Sequence, residues 1–310
     1  MLLVVVVALC VLGVKLAGPS IQRAVTGIRG GPTPLDPTLF AAGACQAFAP
    51  TSGDRHMTVF LDAGHGGLDP GALGTTESGQ TVTEASLTLP MELDTMARLR
   101  ADGFRVVVSR TSDTTVLRLQ PDDVDGNVLS LLGAHDDVAA RAQCADDAGA
   151  SALVGIYLDA GGSPDNAGSL AAYDTARPFA QHNEQLATLV DSDVQTAFDT
   201  NPQWQIPDIG AVNDDSVGSI SGNPGAGGLA GEAADYDHLM LLGPAQAGYF
   251  STPSTMPGTV VEPLFITDPF EATVADSVAG QQAVAHGVAQ AVEQFLVPTS
   301  STTTTTSAAS

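Results

Sequence analysis

Basic side chains are scarce in this 310-residue chain: 11 Lys and Arg stand against 35 Asp and Glu, for a formal net charge of −24 at pH 7. Lys15 is the only lysine, and the arginines are scattered. Without a basic patch nothing neutralises a phosphate backbone, which excludes nucleic acid as a partner. Charged residues are also few, at 15%, while apolar residues reach 44%, too rich in core formers for a disordered polymer. No internal repeat is visible, and no GxxxxGK follows the glycine-rich turn at 64–67, so a phosphate-binding loop is excluded. A chain of this length has ample material for one large or two small domains.

Cysteine is rare as well. Cys10 lies in an apolar N-terminal run, which leaves Cys45 and Cys144 for the folded part. In an exported chain such a pair suggests one disulfide, tying the N-terminal segment to the body; the competing reading is two unrelated buried thiols. Export is suggested by residues 1–18, a signal peptide or membrane anchor. Residues 1–14 are unbroken apolar, close to the lower limit for a membrane span and compatible with a signal-peptide core. No Lys or Arg precedes that run, while Lys15, Arg23 and Arg29 follow it, the reverse of the usual positive-inside bias. Residues 19–56 are rich in Pro, Gly and Ala and read as a spacer. Residues 298–310, PTSSTTTTTSAAS, read as a disordered tail.

Between these ends, 57–297 reads as one α/β domain with a mixed, mostly parallel central sheet flanked by helices on both faces. Strands are predicted at 57–63, 104–110, 151–160, 168–173 and 258–265. Helices are predicted at 84–101, 136–149, 178–198 and 274–296. Residues 114–135 and 200–257 read as insertions.

Three residues stand where open α/β sheets place their sites. His65 sits among glycines directly after a strand. Glu84 opens the next helix, where a capping or helix-dipole role is the plain alternative. Glu262 is an acid inside the apolar stretch VVEPLF, a costly position unless the carboxylate is paired or at work.

Together with VFLDAGHGGLDPGALG (59–74), GFRVVVSRTSD (103–113), Arg141, ALVGIYLDA (152–160) and VVEPLFITDPFEA (260–272), these residues resemble the zinc-dependent N-acetylmuramoyl-L-alanine amidases of the cell wall. The resemblance spans about 57–297. It implies an exported hydrolase acting on peptidoglycan or muropeptides, at the cell envelope or outside the cell. The bond cut would be the amide between N-acetylmuramic acid and the L-alanine of the stem peptide. It also implies Zn2+ as cofactor, His65 and Glu84 as ligands, and Glu262 as the acid/base that takes a proton from the metal-activated water.

The family's third ligand, a His in a segment like S-I-H-A-N, is replaced here by Tyr157. Four readings stay open: Asp159 as ligand, projecting to the same face two residues on; Tyr157 as phenolate; a histidine from elsewhere, His135, His182 or His238; or a metal-poor site in a catalytically impaired homologue that binds muropeptide or regulates. His56 and His286 read as linker and helix-surface residues. Arg110 and Arg141 match family positions, with pairing to nearby Asp as their plain role. Asp62 and Asp69 read as loop and turn formers.

Overall fold

The computed structural model of the protein describes residues 32–163, 166–216, 236 and 238–297. In chain order the elements are β1 (Thr33–Pro34), β2 (Ala44–Phe48), β3 (Thr58–Ala63), β4 (Leu73–Thr75), β5 (Thr81–Thr83), α1 (Glu84–Ala101) and β6 (Arg105–Arg110). There follow β7 (Val124–Asp125), β8 (Val128–Leu129), α2 (Leu131–Ala148), β9 (Ala152–Ile156) and β10 (Ser169–Tyr173). The chain continues through α3 (Ala180–Asp199), β11 (Asp208–Asn213), β12 (Gly258–Glu262), α4 (Pro269–Asp276) and α5 (Val278–Leu296).

Eight strands form one sheet in the order β1-β2-β6-β3-β9-β12-β10-β11. The pairs β6–β3, β3–β9, β9–β12 and β10–β11 are parallel; β1–β2, β2–β6 and β12–β10 are antiparallel. The central strands are apolar throughout because both faces are covered. Side chains alternate between the two cores: Val59 and Leu61 of β3 pack with α1, α3 and α5, whereas Phe60 points to the other face. That second face is covered by α2 and by the irregular stretch around Leu239–Leu242, Tyr249 and Phe250.

Local chemistry explains most boundaries. Thr83 caps α1 by accepting from Ser86 N–H, and Ser130 caps α2 by accepting from Gly133 N–H. α2 begins well before the expected residue 136. Gly133 reads as a breaker in sequence, yet it sits in the first turn because any Cβ there would lie 2.1 Å from the Asp123 carbonyl oxygen. The expected helix 274–296 is instead two, broken at Ser277, whose hydroxyl caps α5.

Two larger corrections concern segments read as loop. Ala44–Phe48, assigned to the spacer 19–56, is a fully buried strand beside β6. Its alanines and Gln46 carry little strand signal, and burial on both faces fixes it instead. Asp208–Asn213, assigned to the 200–257 insertion, extends the sheet beyond β10. The readings of 1–18 and 298–310 lie outside the described residues, among which no helix is long and apolar enough to cross a membrane.

Cys45 of β2 and Cys144 of α2 form a disulfide, with Cα atoms 5.8 Å apart, and so pin the edge half of the sheet to its covering helix. The bridged positions are 99 residues apart in sequence. Closing a loop of that size contributes about 4–5 kcal/mol in the chain-entropy account. A Cys45→Ser/Cys144→Ser protein is therefore expected to unfold at lower denaturant than wild type, with a larger m-value because its unfolded chain is no longer cross-linked.

Candidate active site

Strands β3, β9 and β12 run parallel, so their C-terminal ends open on one edge of the sheet. His65 lies just past β3 in a left-handed conformation, with φ +60. For a non-glycine residue that is a strained backbone held by its surroundings. The surroundings are two arginines. Arg141 donates to the carbonyls of Ala63 (2.8 Å) and His65 (2.9 Å), and Arg110 to those of Ala63, Gly64 and Ala85.

The imidazole of His65 is gripped on both nitrogens. Nδ1 is 2.7 Å from Asp69 Oδ2, and Nε2 is 3.1 Å from Glu84 Oε2. Asp69 is itself fixed by accepting Gly71 N–H on Oδ1. Glu84, first residue of α1, accepts Leu158 N–H on Oε1 at 2.9 Å and Ala72 N–H on Oε2 at 3.0 Å. Burial alone would lower the His65 pKa, but Glu84, and then Asp69, push it up to about 10. Two carboxylates thus create a strong demand for positive charge at this ring. Gly71 makes the approach possible: it has φ +66, and a Cβ there would come within 2.6 Å of His65 Cδ2 and 2.8 Å of Glu84 Oε2.

Glu262 ends β12 at 2% exposure, and its Oε2 is buried without a hydrogen-bond partner. Burial, then the negative charge of Asp159 and Glu84, raise its pKa well above the carboxylate range, with His65 opposing. Asp159 is half-buried, its Oδ1 accepting Ala160 N–H at 2.6 Å. Burial raises its pKa, the Ala160 N–H opposes, and Glu84 adds to the rise.

Tyr157 is committed elsewhere. Its hydroxyl donates to Asp62 Oδ2 at 2.9 Å, while Asp62 Oδ1 pairs with Arg141 at 2.7 Å. Burial and the Asp62 charge push the phenol up, only partly offset by Arg141, so the group stands as a neutral donor. Its ring meets that of His65 edge-on, with centroids 5.6 Å apart.

Of the histidines considered as substitutes, His135 bonds the Tyr249 carbonyl and His182 packs edge-on against Phe295. His238 borders the same cleft but lies 2.8 Å from Asp174. Among the described residues, the one trio of His, Cys, Asp or Glu ligand atoms mutually within 4.8 Å is Asp174, Asp214 and His238; no such third atom accompanies His65 and Glu84.

Asp69 and Asp62, read as loop formers, prove to be partners of the site. Asp69 orients the His65 ring through Nδ1, leaving Nε2 to face Glu84. Asp62 holds both Arg141 and Tyr157. The spacing of Asp69, four residues beyond His65 in a glycine-rich turn, is the one signal the sequence offered for it. His65, Asp69, Glu84, Tyr157, Asp159 and Glu262 line a cleft of about 540 Å³, whose other wall is Val128, Leu131 and Leu239–Leu241.

A half-buried imidazole between two carboxylates, at the mouths of parallel strands and beside an open cleft, stands where open α/β sheets place their reactive centres. The chain belongs to the N-acetylmuramoyl-L-alanine amidase family, whose pattern it matches over residues 59–294. It is a peptidoglycan amidase of a generally metal-dependent family.

Solved structures with the same fold include the N-acetylmuramoyl-L-alanine amidase of Clostridium difficile 630. It is 23% identical, with a TM-score of 0.52, over 78% of this chain and 98% of that one. The CwlD amidase of Clostridioides difficile, solved with the GerS lipoprotein, is 16% identical, with a TM-score of 0.56, over 77% and 98%. Ami1 of Mycobacterium smegmatis is 21% identical, with a TM-score of 0.50, over 79% and 99%. No curated protein matches the chain.

Proposed function

We propose that the amidase reaction runs in the His65–Glu262 cleft, with a zinc ion held by His65 Nε2 and Glu84, and with the half-buried Asp159 turning in from beyond 4.8 Å to complete the site. Bound there, the metal would polarise the scissile carbonyl and acidify a water molecule. The donor set suits such a cation: one imidazole oriented through Nδ1 by Asp69, and carboxylates whose repulsion is relieved by positive charge. Asp159 is favoured over Tyr157 as third ligand because the tyrosine hydroxyl is donated to Asp62 and its ionisation is opposed.

The observation that carries the reading is Glu262, a buried carboxylate with a partnerless oxygen beside that pair. Glu262 takes the proton of the attacking water and returns it to the nitrogen of the leaving L-alanine. Arg141 and Arg110 keep the His65 turn in its strained conformation, and Tyr157 buttresses Asp62. The apolar wall would receive the lactyl and alanine methyl groups. Working on the wall, the protein would act at the cell envelope or outside the cell, with residues 1–18 directing its export. With a charge of −24 on an anionic wall, retention would rest on groove contacts rather than on electrostatics.

Zinc titration separates the ligand assignments. Asp159→Asn is expected to weaken zinc binding at this site by ~10–100-fold, and Tyr157→Phe to change it far less. The opposite order would return the phenolate reading.

A further inference from the structure

A second group of ligating side chains lies at the other edge of the sheet. β10 runs antiparallel to β12, so Asp174, directly after β10, is remote along the strands from Glu262. Asp214 directly follows β11, and the Tyr173–Asn213 register sets the two aspartates side by side. Both are buried, at 0% and 2% exposure.

Each carboxylate has one oxygen tied and one left over. Asp174 Oδ1 accepts Ala176 N–H at 2.9 Å, and Asp214 Oδ2 accepts Leu239 N–H at 3.0 Å. The remaining oxygens, Asp174 Oδ2 and Asp214 Oδ1, are buried without hydrogen-bond partners. Both face His238 Nδ1, at 2.8 and 3.5 Å. That nitrogen also makes no aligned hydrogen bond, despite the short approach. Three ligand atoms that meet only one another, without an aligned hydrogen bond, therefore converge within 4.8 Å.

The nearest guanidinium does not satisfy them. Arg177 donates to the carbonyls of Leu242 and Gly243 and to Ser254 Oγ, and its guanidinium lies over Phe179 at 4.6 Å. Two buried carboxylate oxygens that share one partly exposed imidazole nitrogen, with no aligned hydrogen bond, are under-satisfied, and a cation at their meeting point relieves that.

We propose that Asp174, Asp214 and His238 form a second metal site, separate from His65 and Glu84, for a divalent transition cation of the Zn2+ type. One imidazole with two carboxylates is a zinc-like donor set. Calcium would need six or more oxygens, and magnesium rarely takes an imidazole. The side chain of His238 is 26% exposed and borders the cleft, so water can complete the coordination. The site is structural: it joins the ends of β10 and β11 to the chain at His238, and so braces the wall that carries Leu239–Leu241.

The test uses the full chain, stripped with chelator and titrated with Zn2+ alone, with circular dichroism checking the fold. A His65→Ala protein isolates the second site. It is expected to keep bound zinc and a zinc-dependent rise in melting temperature, and both should vanish when His238→Ala is added. Asp214→Asn, nearly isosteric, should weaken zinc in the same background more than about tenfold. Loaded with Co2+, His65→Ala should show visible d–d bands that His238→Ala removes. If wild type and His65→Ala bind equal zinc, the His65 site fails as a metal site while the second site stands. If His65→Ala binds no zinc, or if its zinc is indifferent to both His238→Ala and Asp214→Asn, the trio is a proton-bridged ion cluster and the second site is overturned.

Discussion

Glu262→Gln is expected to lower turnover by ~10²–10⁴-fold, the range for losing a positioned acid/base, while leaving the protein as stable as wild type or more so. The two halves of the prediction have one cause. Glu262 is buried at the end of β12 with an oxygen that no donor meets, and Asp159 and Glu84 add like charge. Keeping that acid buried costs folding free energy, whether its charge is desolvated or a proton must be held against its ordinary pKa, and the amide is neutral at every pH without changing the shape. A structural glutamate would behave in the opposite way, losing stability on substitution. Turnover and melting temperature, measured on the same preparation, separate the two: full activity in Glu262→Gln would remove the residue from the chemistry.

His65→Ala is expected to have the largest effect on rate, about 10³-fold or more, since losing the metal forfeits several kcal/mol of transition-state charge stabilisation. The same substitution removes the one cation between Asp69 and Glu84 when metal is absent, because the wild-type ring is held protonated there. The stripped variant should therefore be less stable than stripped wild type at neutral pH, through carboxylate repulsion alone. Activity assays at saturating zinc, with urea unfolding in chelator, check both parts. A variant that kept more than about a tenth of wild-type activity would place the metal, or the chemistry, elsewhere.

The parts of the fold that sequence conveys well are those where local and global preferences agree. α1 has a Thr83 cap, an apolar face and Gly103 as its stop, and it begins and ends where the pattern says. β2 is different: ACQAF has weak strand propensity, and its place between β1 and β6 comes from burial on both faces and from the Cys45–Cys144 bridge. β11 is hidden likewise, in a glycine- and asparagine-rich neighbourhood. The site divides in the same manner. His65, Glu84 and Glu262 stand out because their residue types are anomalous in their local settings. Asp62 does not, since its partners Arg141 and Tyr157 lie 79 and 95 positions away and meet it only in the folded chain. The trio of Asp174, Asp214 and His238 is equally invisible beforehand. Two of its members sit just past strand ends, and the third lies in a stretch that reads as insertion.

The most direct test of the proposed chemistry is mass spectrometry of the products released from purified peptidoglycan by the zinc-loaded protein. The expected product is a free stem peptide with a new amine on its L-alanine, formed by wild type, abolished by chelator, and reduced to trace by Glu262→Gln. Intact peptidoglycan after treatment with fully zinc-loaded wild type, or cleavage at any other bond, would contradict it.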